Sequence, residues 1–126
     1  MKLQVSVLLG PFAVCKLPSE LWPAPPVWCD GFVALVRESS NWTMVCLEDA
    51  VPETATVEGG WVAIVLEGTF DFGLTAVLVS ILNPLAEAKV GIFALSTFDT
   101  DWVLIKASHL DLARSALQAA GHVFRE

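Results

Sequence analysis

The second half of the chain has the clearest pattern of hydrophobic and polar positions. Residues 61–66 form an unbroken apolar run of strand length, and apolar residues then recur at spacings of three and four over residues 74–88. That spacing is typical of an amphipathic helix. Pro84 lies inside the predicted helix and offers no N–H to the carbonyl of Ser80, so we expect the helix to bend or divide near Asn83.

Two further strands and a second helix follow. The apolar runs 91–95 and 102–105 flank a polar tip and predict a β-hairpin. Ser108 followed by Asp111 predicts a capping box at the start of a helix, and Gly121 is placed to end it. A last short strand at 122–124 completes the order β-α-β-β-α-β, which predicts an α+β, ferredoxin-like unit. In such a unit both helices lie on one face of the sheet, and the other face is left open for pairing.

The first half follows the same plan with its helices reduced. A strand is predicted at 12–17 and a hairpin from 32–37 and 42–47, while four prolines between positions 18 and 26 disfavour a long helix. Trp42 lies 60 positions before Trp102, each near the start of the strand after its tip. With Gly59-Gly60 as the joint, the sequence predicts two tandem ferredoxin-like units, a degenerate one at 1–60 and a complete one at 61–126.

Composition narrows the range of partners. The chain has 126 residues, 55% of them hydrophobic, and a net charge of −7 with seven scattered basic residues. Nucleic-acid binding needs clustered Lys and Arg, so we do not expect this protein to bind nucleic acid. The open sheet face together with the high apolar content predicts a homodimer.

The cysteines and the first residues indicate a cytoplasmic protein. Cys15, Cys29 and Cys46 are odd in number and lack Cys-x-x-Cys spacing, which favours buried thiols in a reducing compartment over disulfides or a zinc site. Polar and apolar residues alternate over 3–7, which predicts a strand rather than a signal segment or membrane span.

The hairpin tip, Ser-Thr-Phe-Asp-Thr-Asp at 96–101, is the main candidate for ligand chemistry. Hairpin tips usually carry Gly or Asn-Gly, whereas this one carries hydroxyls and two carboxylates suited to an ammonium group. The alternative is that Asp99 and Asp101 accept only local backbone hydrogen bonds, as aspartates in turns commonly do.

The amino end of the first predicted helix is a second candidate. Its free N–H groups and dipole favour a carboxylate, which together with the tip makes a pair of charges suited to an amino acid. Asp71 either faces that ligand or caps its own helix, and the two roles are compatible.

Nothing in the sequence indicates catalysis. His109 and His122 belong to no catalytic or metal-binding spacing, and we expect no enzyme activity, no metal and no cofactor. Trp22, Trp28 and Trp42 offer another interpretation, a protein-interaction or dimerisation module, although core packing is the favoured explanation for Trp42.

Several segments together resemble a known family. They are Glu-Gly-Thr-Phe-Asp-Phe-Gly-Leu-Thr at 67–75, Pro-Leu-Ala-Glu-Ala at 84–88, the run from Ile92 through the tip, and Ala-Ala-Gly-His at 119–122. Over residues 61–123 the chain resembles the ACT domain, in the subgroup shared by aspartate kinases, the cytosolic arginine sensors called CASTOR and small stand-alone bacterial proteins.

That resemblance implies a ligand-sensing module without catalysis of its own, which pairs with a second unit and binds a small amino acid or related zwitterion between them. The loop 68–73 would hold the carboxylate on backbone N–H groups, and the tip of a neighbouring unit would hold the ammonium. The implied ligand residues are Gly68, Thr69, Asp71, Phe72 and Gly73 from the loop, with Thr97, Phe98, Asp99 and Asp101 from the tip. The alternative is an interaction module whose ligand site is vestigial.

Overall fold

The computed structural model describes residues 2–18, 31–67 and 76–125. Its strands are β1 Gln4–Pro18, β2 Ala34–Arg37, β3 Asn41–Leu47, β4 Thr56–Leu66, β5 Phe93–Ser96, β6 Asp101–Lys106 and β7 Val123–Arg125, and its helices are α1 Val77–Glu87 and α2 Leu110–Ala119. Contacts divide the chain into two compact units. We call Met1–Leu9 with Val62–Glu126 the helical unit, and Gly10–Trp61 the strand unit.

The helical unit has the predicted β-α-β-β-α-β order, from β4 through α1, β5, β6 and α2 to β7. Its strand order is β7-β1-β4-β6-β5, in which the first residues of β1 lie between β7 and β4. β1 pairs in parallel with β7, with Gln4 opposite Val123 and Ser6 opposite Arg125. The sequence predicts this first strand but not its partner, because the two segments are far apart along the chain.

The core of the helical unit lies between its helices and one face of its strands. The buried residues there include Val5, Val62, Ile64, Leu66, Ile81, Leu85, Val103, Ile105 and Leu117. Successive residues of a strand point to opposite faces, yet Ala63 and Leu104, each between two of these core residues, are also fully buried. The prediction of an open second face is therefore wrong at these two positions.

Helix α1 continues through Pro84 as one helix, so the division expected near Asn83 does not occur. Its N-cap is Ala76, whose side chain makes no capping bond, so the interpretation that Asp71 caps this helix is wrong. At the other end Lys89 has a φ of 63° and the Val90 N–H donates to the Leu85 carbonyl at 2.9 Å. This is a Schellman ending with lysine in the position that glycine usually fills.

Helix α2 begins later than predicted. A 3-10 turn, Ala107–His109, precedes it, and the N-cap is His109 without a side-chain bond. The capping box expected from Ser108 and Asp111 is therefore wrong, because the turn moves the helix start beyond Ser108. The predicted end is confirmed, since Gly121 has a φ of 96° and the His122 N–H donates to the Leu117 carbonyl at 3.0 Å.

The strand unit has the order β2-β3-β1-β4 and contains the predicted hairpin, with Arg37 opposite Trp42. In place of a second helix it has the 3-10 turn Glu48–Ala50. Its buried core consists of Ala13, Cys15, Leu17, Trp42, Met44 and Cys46. Core packing is thus the observed role of Trp42, while Trp22 and Trp28 lie outside the described residues.

The predicted joint, Gly59-Gly60, lies inside strand β4, just before the Trp61–Val62 boundary of the two units. Gly60 has a φ of 78°, and its N–H donates to the Glu48 carboxylate at 2.7 Å. A glycine pair inside a strand accommodates an irregular backbone conformation without ending the strand.

The 60-residue spacing of Trp42 and Trp102 does not mark equivalent positions. The Glu38 N–H donates to the Asn41 carbonyl at 2.8 Å, and the Thr97 N–H donates to the Thr100 carbonyl at the same distance. Matching these two turns makes Trp42 equivalent to Asp101, the residue that directly follows the second turn.

Cys15 and Cys46 are buried free thiols, as predicted, and Cys29 lies outside the described residues. Burial raises the pKa of the Cys15 thiol, and a hydrogen bond with Cys46 opposes part of that rise. Cys15 is therefore a packed, protonated side chain rather than a nucleophile. Within the parts of the chain that the structure describes, neither helix has the length and apolarity needed to cross a bilayer.

Candidate functional site

The hairpin tip between β5 and β6 is a tight turn held by its own threonines. Ser96 lies opposite Asp101, and the Thr97 N–H donates to the Thr100 carbonyl at 2.8 Å. The Thr97 hydroxyl donates to the same carbonyl at 3.1 Å and accepts from the Thr100 N–H at 3.2 Å. Thr97, predicted to orient a ligand, thus has a local structural role in the turn.

The carboxylates of the tip have different environments. The Ser96 hydroxyl donates to Oδ1 of Asp101, which is partly buried, and this bond orients the carboxylate. Asp99 is exposed, and Phe98 beside it is 81% exposed. The local hydrogen bonding expected of Asp101 therefore comes from a side chain of the opposite strand, and the tip presents an aromatic ring beside an acidic group.

The tip is tied to the end of β4. The Thr100 hydroxyl donates to the carbonyl of Leu66 at 2.9 Å, and Leu66 is the last residue of β4. The structure therefore places the tip against the end of β4, the strand that precedes the predicted loop at 68–73 in the sequence. The pairing of that loop with the tip of a neighbouring unit, which the resemblance implies, stays a prediction.

Glu67 is an acidic residue at this junction that the sequence reasoning did not include in the site. Its Oε1 lies 3.2 Å from Nη1 of Arg125, and its Oε2 is buried without a hydrogen-bond partner in the described part of the chain.

The structure describes only part of the predicted ligand set. Thr97, Phe98, Asp99 and Asp101 lie at the hairpin tip between β5 and β6, and their role in binding a ligand stays a prediction. The loop residues Gly68, Thr69, Asp71, Phe72 and Gly73 lie outside the described residues.

The two histidines differ in environment. His109 is exposed. His122 is only 4% exposed, and both of its ring nitrogens have partners, the Leu3 N–H at 3.1 Å and the Ser80 carbonyl at 2.8 Å. Considering only residues 2–18, 31–67 and 76–125, no three His, Cys, Asp or Glu side chains gather as metal ligands.

Comparison with known proteins identifies the family. A family model for the ACT domain matches residues 56–119, about half of the chain. The chain belongs to the ACT domain family. Because ACT domains are regulatory modules, membership supports a general regulatory, ligand-binding role.

Solved structures extend the match to nearly the whole chain. The protein Atu0741 from Agrobacterium tumefaciens is 29% identical with a TM-score of 0.91, covering 99% of this chain and 93% of that one. The regulatory subunit of aspartate kinase from Thermus thermophilus is 15% identical with a TM-score of 0.63, covering 93% of this chain and 96% of that one.

A complete kinase shares the fold over part of its length. The aspartate kinase of Clostridium acetobutylicum is 12% identical with a TM-score of 0.67. The match covers 92% of this chain and 34% of the kinase, so the ACT protein spans about a third of that enzyme. At this level of identity the similarity concerns the fold alone.

Proposed function

We propose that this ACT protein is a cytoplasmic sensor of a small amino acid or related zwitterion, without catalysis of its own. The observation that supports the proposal is the 2.9 Å bond from the Thr100 hydroxyl to the Leu66 carbonyl, which holds the acidic tip against the end of β4, the strand that precedes residues 68–73 in the sequence. The ligand would lie at this junction, with the loop completing the site.

The charges of the junction favour an ammonium group. Asp101 is already oriented by Ser96, Asp99 is exposed, and Glu67 has a buried oxygen that lacks a donor among the described residues. A buried acceptor without a partner is costly, so a ligand that supplies an N–H there gains binding energy. The carboxylate of the ligand would bind backbone N–H groups near Phe72 and Gly73, which stays a prediction.

Replacing Asp101 with alanine is expected to weaken ligand binding by about tenfold to a hundredfold, since a charge-assisted hydrogen bond contributes roughly 1.5–3 kcal/mol. A ligand that binds only the folded protein raises its melting temperature. Thermal-shift screening against the twenty amino acids therefore identifies the ligand, and titration calorimetry of wild type and Asp101→Ala measures the loss.

Two controls make this experiment specific. Asp111→Ala removes an exposed carboxylate from α2 and should leave the affinity unchanged. Ser96→Ala keeps the Asp101 carboxylate but removes the hydroxyl that orients it, so an intermediate loss is expected. If no amino acid shifts the melting temperature at millimolar concentration, or if Asp101→Ala binds as tightly as wild type, the proposed site is wrong.

We further propose that the strand unit is a degenerate second copy of the ACT fold. Two observations support this. Its strand order, β4-β1-β3-β2, is that of a ferredoxin-like sheet, and its hairpin turn has the same 2.8 Å hydrogen bond as the turn of the tip. The 3-10 turn Glu48–Ala50 would then be the remnant of the second helix.

A second candidate function is an interaction module that forms a homodimer, which the 81% exposure of Phe98 favours. An aromatic side chain that protrudes from a tip is a typical interface anchor. If the dimer uses this tip, Phe98→Ala should shift the protein from a dimer toward a 13.6 kDa monomer in light scattering at micromolar concentration.

Leu112→Ala, which trims an exposed leucine of α2, is the matched control and should leave the dimer intact. A wild-type protein that is already monomeric, or a Phe98→Ala protein that stays dimeric, would argue against dimerisation through the tip.

A further inference from the structure

Helix α1 contains a carbonyl that its own helix cannot satisfy. In an α-helix the carbonyl of residue 80 accepts the N–H of residue 84, but residue 84 is a proline without an N–H. The Nε2 atom of His122 lies 2.8 Å from the Ser80 carbonyl oxygen. The imidazole thus occupies the position of the missing donor.

The other nitrogen of the same ring is bonded to a different element. Nδ1 of His122 accepts the N–H of Leu3 at 3.1 Å in a buried contact. Because a carbonyl only accepts and a backbone N–H only donates, these two partners require a neutral ring with its proton on Nε2. One side chain therefore joins the middle of α1 to the backbone just before β1.

The Schellman motif at the end of α2 positions the His122 ring. Gly121 occupies the left-handed position of the Schellman motif, and the next residue, His122, bonds back to the Leu117 carbonyl. The N–H of Val123 then donates to the Leu3 carbonyl at 2.9 Å. Leu3 is thus bonded through both its N–H and its carbonyl to the two residues that follow the glycine.

We propose that His122 is a positioning residue that supplies the hydrogen bond removed by Pro84 and thereby couples helix α1 to the first residues of β1. The coupling goes beyond the proposed ligand site and needs no ligand. It accounts for an uninterrupted helix at Pro84, and for a histidine side chain that is only 4% exposed.

Two amide substitutions separate the two bonds of the ring. In His122→Asn the side-chain oxygen reaches the place of Nδ1, so the bond to Leu3 is kept and the bond to Ser80 is lost. In His122→Gln the amide nitrogen reaches the place of Nε2, so the bond to Ser80 is kept and the bond to Leu3 is lost. Each variant is made in the wild-type and in the Pro84→Ala background.

The expected result is selective rescue. His122→Asn should lower the folding equilibrium constant by about tenfold or more, as expected for an unsatisfied buried carbonyl. Pro84→Ala should remove most of that loss, because an alanine at this position restores the helical N–H. The stability lost by His122→Gln should be the same in the wild-type background as in the Pro84→Ala background. Hydrogen exchange of the Leu3 amide should be faster in His122→Gln only.

Equal rescue of both variants, or rescue of neither, would overturn the proposal. If His122→Asn or His122→Gln does not fold, nitrogen NMR of the wild-type protein decides. A ring protonated at Nε2, with a scalar coupling between Nδ1 and the Leu3 amide, is expected, and a ring protonated at Nδ1 would contradict the coupling.

Discussion

Replacing Leu104 with alanine should lower the free energy of unfolding by about 2–5 kcal/mol, the range typical of fully buried leucines. Leu104 is 0% exposed although it faces away from Val103 and Ile105, which pack in the helix-facing core. A cavity is therefore expected on the side of the sheet that the sequence analysis treated as open. Urea denaturation, followed by the fluorescence of the five tryptophans, measures the change.

Leu112→Ala is the matched control for this experiment. Leu112 is 49% exposed on α2, so the same truncation should cost about 0.5 kcal/mol or less, as is usual for surface positions. If the two variants lose equal stability, Leu104 is not packed, and that face of the sheet is available to a partner after all. The result thus bears directly on where a homodimer can form.

Gly10→Ala should also cost about 2–5 kcal/mol, from two separate causes. Gly10 has a φ of 66°, which costs a residue with a side chain about 1–2 kcal/mol. A Cβ at this position would in addition lie 2.5 Å from the backbone nitrogen of Phe12, a clash that a side-chain rotation cannot relieve. Overpacking of this kind typically adds about 1–3 kcal/mol.

Gly60→Ala measures the backbone cost of a positive φ alone. Gly60 has a φ of 78° but nothing within 4 Å of a Cβ, so only the backbone cost of about 1–2 kcal/mol is expected. The urea midpoints of both variants should therefore fall, with the larger fall for Gly10→Ala. Equal midpoints would mean that the chain around Phe12 relaxes and that only the backbone conformation matters.

Local patterns predicted most of the helical unit. The three-and-four spacing before Pro84, the apolar runs beside the tip and the glycine at position 121 each determine structure over a few neighbouring residues, and all three features are observed. The ends of the helices were predicted less well. The start of α2 depends on the 3-10 turn Ala107–His109, which no capping residue in the sequence indicates.

Features that depend on distant residues were missed. The place of β1 beside β7 depends on segments that are remote in the sequence. Pro84 predicts a bend or a division of the helix because its lost hydrogen bond is visible in the sequence, whereas the replacement donor, His122, is 38 positions away. A breaker residue predicts a broken helix only when no other group takes over its bond.

The candidate site shows the same limit. Hydroxyls and carboxylates at the tip were recognised from their types, but the role of Thr97 within the turn depends on hydrogen-bond geometry. Glu67 was overlooked because its buried oxygen becomes apparent only once its neighbours are placed. Residue types thus located the site, and the fold determined which atoms are available in it.

The parallel pairing of β1 with β7 has a consequence for the order of folding. Gln4 pairs with Val123, so residues 4–6 meet this neighbour only after the long intervening stretch of chain has been made. Contacts between residues so far apart in sequence slow folding, because a long loop must close first. Within the strand unit, the pairs of β3 with β1 and β2 join residues between positions 12 and 47 and can form earlier during synthesis. The edge of β1 that pairs with β7 stays open until β7 emerges, and an open strand edge is a template for pairing with another chain.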